Sequence, residues 1–116
     1  MDKETGSQVN IRIAEDVFIK IVIKEVLSVP GVHTMSATGL GEKLAKKQEE
    51  RGVRVSLEDD IVSVDIHIIV EFESRIPDVA FKIQEKVKSA LEEKTGYTVA
   101  SVNIHVDAIH FPEEEN

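Results

Sequence analysis

The chain has 116 residues, 41% hydrophobic and 31% charged, with a formal net charge of −8 and no cysteine. That length sits in the common single-domain range of about 100–150 residues, enough for one core without covalent staples. The absent cysteines exclude a disulfide framework, a thiolate metal site and a cysteine nucleophile, and the negative charge opposes a dedicated nucleic-acid binder, which needs clustered Lys and Arg.

No apolar run approaches the ~20 residues that span a bilayer, and the opening MDKETGSQ predicts no signal peptide. A membrane connection is therefore expected to be peripheral or made through a partner. Residues 9–111 read as one domain, with polar tails at 1–8 and 112–116.

Val9, Ile11 and Ile13 alternate with Asn10 and Arg12, which predicts a short half-buried strand. Glu15 and Asp16 follow as an acidic first helical turn, where negative charge suits the dipole. The helix is expected to run to about Val29, stopped by Pro30-Gly31. At 100° per residue, Phe18, Ile19, Val22, Ile23 and Val26 gather on one face suited to packing on a sheet. Val17 and Ile21 lie off that face. They are either covered by the segment Val32–Leu44 or left as a partner surface, since contiguous exposed apolar patches mark contacts.

Val32–Gly52 is the least regular stretch, read as a loop around Gly39-Leu40-Gly41 and then a weak two- or three-turn helix. Lys43, Lys46 and Lys47 make a solvated face there, or alternatively a contact for phosphate or a lipid headgroup. Gly41 cannot open a P-loop, because no Gly-Lys-Ser/Thr follows it.

Val53, Val55 and Leu57 predict a strand, Glu58-Asp59-Asp60 a turn, and Ile61–Glu73 a long hairpin partner. In that partner Val62, Val64, Ile66, Ile68, Val70 and Phe72 fall on one face, with Ser63, Asp65, His67, Glu71 and Glu73 on the other. Pro77 suits the first turn of a second helix, whose core face is Val79, Ala80, Ile83, Val87, Ala90 and Leu91. Phe81 points off that face and is a candidate oligomer anchor. Gly96 supplies the stop. The last strand, Val99–Phe111, is expected to bury Ala100, Val102, Ile104, Val106 and Ala108 and to turn Ser101, Asn103, His105 and Asp107 outward. Its apolar phase shifts to Ile109 and Phe111 after Asp107, which predicts a bulge or a second contact.

The order β-α-β-β-α-β, with both helices on the apolar sheet face, predicts an α+β two-layer sandwich with a mixed sheet. The strands flanking the second helix should be parallel by the crossover rule. As parallel neighbours they set Asp65 beside His105 and His67 beside Asp107. Two imidazoles and two carboxylates are a candidate set for a divalent metal or for acid–base work. Both chemistries prefer a cleft that excludes water, which a flat sheet face lacks. Cross-strand pairs, or a surface covered by another subunit, are the plainer readings. Histidines in such a contact would make it pH-sensitive, since an imidazole titrates near ~6.5.

Other catalytic patterns are missing: there is no G-x-S-x-G, H-E-x-x-H or EF-hand loop, and no G-x-G-x-x-G after a strand. His33 follows Pro-Gly-Val with no evident carboxylate partner, and His110 closes the last strand. Neither is expected to carry chemistry.

Several segments in succession resemble one family. They are Ser28-Val-Pro-Gly-Val32, Arg51-Gly-Val-Arg-Val55, Ser63-Val-Asp-Ile-His-Ile-Ile-Val-Glu71, Ile76-Pro-Asp-Val-Ala80, Thr95-Gly-Tyr-Thr-Val99 and Val102-Asn-Ile-His-Val106. The chain resembles the alkaline shock protein family of general-stress and cell-envelope-stress proteins in Gram-positive bacteria, from about Val9 to Phe111. The resemblance implies a cytoplasmic, non-enzymatic, self-associating scaffold, in some members held at the membrane by a separate anchor protein. It implies no cofactor, no small-molecule substrate and no catalytic residue. Ala14 departs from the pattern, since relatives tend to have a capping serine there. Two other roles stay open. One is a nucleic-acid-binding module, although Gly39-Leu-Gly41 is not a G-x-x-G loop and the sheet lacks a base-stacking aromatic pair. The other is an accessory or regulatory subunit of a metabolic enzyme.

Overall fold

The computed structural model describes residues 11–37 and 52–113. Helix α1 spans Glu15–Leu27, strand β1 Val32–Met35, β2 Val53–Glu58 and β3 Ile61–Glu71. Helix α2 spans Ile76–Thr95 and strand β4 Thr98–His110. The α+β sandwich with a mixed sheet is the fold expected from the sequence.

Strand β3 is the spine. Val62, Val64, Ile66, Ile68 and Val70 are all fully buried against the helices, at roughly 1.5–3 kcal/mol of burial each. Against them pack Phe18, Val22 and Val26 of α1 and Ile83, Val87 and Leu91 of α2, none of them exposed. β4 runs parallel to β3, joined to it by the crossover through α2. β2 returns antiparallel through the two-residue turn Asp59-Asp60, with Asp59 at φ 57°. Aspartate tolerates that left-handed region better than most residues.

β1 and β2 share one edge of β3. β1 pairs Val32 with Val70 and Met35 with Ile68, and β2 pairs Val53 with Ile66 through Glu58 with Ile61. Between them Ser36 N–H donates to His67 O at 2.9 Å and His67 N–H donates to Gly52 O at 2.7 Å. The two short strands thus form a single interrupted edge, with Ser36 closing one part and Gly52 opening the other.

Four expectations need correction. Ile11–Ile13 are not strand but an irregular lead into α1; Val9 and Asn10 lie outside the described residues. Val32–Met35, expected to be loop, is strand, and a register shift between Val32 and Thr34 explains why it showed no period-two pattern. Ala100 is exposed because a register shift at Val62/Ser63 leaves it unpaired, and Ala108 is exposed beyond a second shift at Ile68/Ile69. That second shift leaves out Asp107, where the sequence predicts a bulge. Phe72 follows the end of β3 and is exposed rather than core. The helix and loop expected around Lys43, Lys46 and Lys47 lie outside the described residues.

Candidate functional site

The helices cover one face of the sheet, and the outward residues of β3 set the other in cross-strand rows. Ser63 aligns with Ser56 and Ser101, Asp65 with Arg54 and Asn103, His67 with His105, and Glu71 with His110. Because the side-chain period of a strand is two, every other residue of β3 contributes to this face.

The middle of the face holds the four residues singled out by sequence. His67 and His105 stack with ring centroids 4.3 Å apart and planes within 9°. His67 Nδ1 lies 3.1 Å from both carboxylate oxygens of Asp107, and Ser36 Oγ donates to Asp107 Oδ2 at 2.8 Å. His105 Nε2 lies 3.6 Å from Asp65 Oδ1, and Asn103 Nδ2 donates to that same oxygen at 3.0 Å. The expected neighbours are thus brought together, but as two separate pairs rather than one convergent set. The face is also less open than a flat sheet implies. The bulge folds Asp107 over His67, and their side chains are only 19% and 13% exposed.

Ser36, Asp107 and His67 are not arranged as a nucleophilic triad. A nucleophilic serine must hand its proton to the imidazole, whereas the Ser36 hydroxyl proton is directed at the carboxylate.

A second cluster sits farther along the strands, and the reading of sequence missed it. His33 Nδ1 is 3.0 Å from Glu71 Oε2 and His110 Nδ1 is 3.2 Å from Glu71 Oε1. The two imidazoles stack at 3.7 Å with planes within 6°. His33 therefore does have a carboxylate partner, against expectation. Hydrogen bonds from His33 first, and then from His110, hold the Glu71 carboxyl below the usual carboxylate range. Each of the two Glu71 oxygens is thus engaged by one imidazole. The signal for His110 was present in the sequence: the bulge that moves Ile109 toward the core side moves His110 onto the wet face. His33 had no such signal, because its strand was not legible.

Beside this cluster Phe72 and Phe111 touch, with ring centroids 4.8 Å apart. Both are exposed, at 46% and 60%. Of the other candidates, Phe81 is 59% exposed and Val17 43% exposed. Ile21 is half-buried against the core. A shallow concavity of about 250 Å³ lies elsewhere, between the end of α1 and the start of α2. It is lined by Pro30, Gly31, Ser74, Arg75, Asp78 and Lys82 among others and falls below the ~300–1,000 Å³ of ordinary ligand pockets.

A model of the alkaline shock protein 23 family, described as having cell envelope-related function, matches residues 3–111. The Bacillus subtilis (strain 168) protein YqhY is 33% identical over 114 residues, covering 96% of this chain and 84% of its own. A second protein of that strain, YloU, is 39% identical over 71 residues, 61% of this chain and 59% of its own. Neither name carries an activity. Among solved structures, the copper form of the MamM C-terminal domain superposes with a TM-score of 0.53 at 17% identity, covering 88% of this chain and 93% of that one. At that identity the likeness is one of fold.

Proposed function

The chain belongs to the alkaline shock protein 23 family, whose function is cell envelope-related, and on that premise we propose that it works as a non-enzymatic scaffold. Its business is contact: with further copies of itself and with a protein partner on the cytoplasmic side of the envelope, during stress. No helix among the described residues is long and apolar enough to cross a membrane; in this proposal attachment runs through the partner.

One observation carries this reading. The chain has only four phenylalanines, and three of them, Phe72, Phe81 and Phe111, are 46–60% exposed. Aromatic side chains dominate the energetics of protein interfaces, and a monomer gains nothing by leaving most of its large rings in water. Phe81 and Val17 on the helix layer, with Phe72 and Phe111 at the sheet end, are the contact anchors. The two-pair arrangement at His67 and His105 fits cross-strand pairing rather than catalysis.

The test is light scattering on the full chain, joined to a crosslinked pull-down from its native host. An assembly heavier than the 12.9 kDa chain, lightened by Phe81→Ser or by Phe72→Ser/Phe111→Ser in a folded protein, is expected. A strict monomer that retains no partner would sink the proposal.

A further inference from the structure

We propose that His33, Glu71 and His110 form a binding site for one divalent transition-metal ion of the zinc class. Three strands that are distant in sequence converge to build it. Glu71 N–H donates to Gly31 O at 2.8 Å, which anchors the chain just before His33. Glu71 and His110 are register partners on the parallel pair. One ligand atom from each of the three residues lies within 4.8 Å of the others.

The spacing suits a metal ion. Bonds of about 2.0–2.2 Å at tetrahedral angles put neighbouring ligand atoms about 3.3–3.5 Å apart. The nitrogen–oxygen separations here are 3.0 Å from His33 to Glu71 Oε2 and 3.2 Å from His110 to Glu71 Oε1, so the carboxylate holds the ion through both oxygens or turns to present one. The rings, now stacked and parallel to within 6°, must tilt apart for both lone pairs to meet the ion. The ion would take the bridging position between each Nδ1 and Glu71, with each neutral ring keeping its single proton on Nε2.

The donor set decides the class. Two imidazoles and one carboxylate favour zinc, nickel or copper(II) over magnesium and calcium, which prefer all-oxygen shells. The side chains are 35–45% exposed, so an ion enters freely and keeps water on its remaining position. The inner residues make a poorer site: His67 with Asp107 and His105 with Asp65 are separate pairs, and Asp107 already accepts from Ser36. This site is independent of the scaffold reading.

The experiment is calorimetric titration of the chelator-stripped full chain with zinc chloride, with magnesium chloride as competitor. One zinc per chain that excess magnesium does not displace is expected. Losing even an outer-shell partner of a metal costs about 10–100-fold in affinity, so His33→Ala, Glu71→Gln and His110→Ala should each weaken binding at least about tenfold. His67→Gln/His105→Gln should leave it unchanged. Glu71→Gln keeps the side chain's shape, and equal unfolding temperatures without metal establish that it is folded. Zinc should then raise the unfolding temperature of the wild type but not of this variant. No zinc binding by the wild type would overturn the proposal. So would binding that survives all three single substitutions, or that is lost in the His67/His105 double variant instead.

Discussion

Replacing Gly52 with alanine tests the interrupted sheet edge directly. Gly52 has φ 80°, where a residue with a Cβ costs about 1–2 kcal/mol. A Cβ there would lie 2.8 Å from both His67 O and Ser36 O. These are backbone atoms that cannot swing away as a side-chain tip could. Relief would require moving Ser36 or Gly52 away from His67, straining the bonds of 2.9 and 2.7 Å that join the edge. At a net value of about 0.5–1.5 kcal/mol per hydrogen bond, the full cost comes to about 2–5 kcal/mol. Gly96 is the internal control. It also has φ 80°, but a Cβ there meets nothing within 4 Å, so Gly96→Ala carries only the conformational cost of about 1–2 kcal/mol. Urea unfolding of both variants, with the slope checked for constancy, separates the steric cost from the conformational one. If Gly52→Ala is no less stable than Gly96→Ala, the account of the edge is wrong.

Helix entry and acid stability give two further checks. Ala14 caps α1 in an extended conformation without a side-chain hydrogen bond, so Ala14→Ser should stabilise the protein by about 0.5–2 kcal/mol; an unchanged denaturation midpoint would argue against that cap geometry. Glu92 accepts the Val99 backbone N–H at 3.1 Å and pairs with Lys88 at 2.9 Å. The Val99 bond first, and then the Lys88 bond, hold its carboxyl below its ordinary value of 4.5. A depressed carboxylate stabilises the fold above its unfolded pKa, and that contribution is lost as pH falls through the folded value. Glu92→Gln should therefore be less stable than wild type at neutral pH, and the gap should close in unfolding titrations run below the ordinary glutamate value. A gap independent of pH would contradict this sign.

The sequence by itself determined the core and its limits, because these depend on periodicity and on single residues. Alternation from Val62 to Val70 named the buried face of β3, all of it fully buried. Phe18, Val22 and Val26 declared the inner side of α1, which the chain closes just before Pro30-Gly31; Gly96 caps α2 at φ 80°. The parallel pairing of β3 and β4 followed from the helical crossover that connects them. Once parallel pairing is assumed, the nearness of His67 to Asp107 and of His105 to Asp65 could be expected, and it is found.

Only the tertiary structure decided where the period breaks and what it brings together. Val32–Met35 is strand because β3 supplies long-range backbone partners, not because its four residues alternate. Ala100 is turned outward by a register shift that no local preference announces. For the same reason His33, Glu71 and His110 remained three unrelated residues in the sequence. They are 38 and 39 positions apart, and their meeting depends on hydrogen bonds between strands, which fix register through geometry that side-chain pattern alone does not specify.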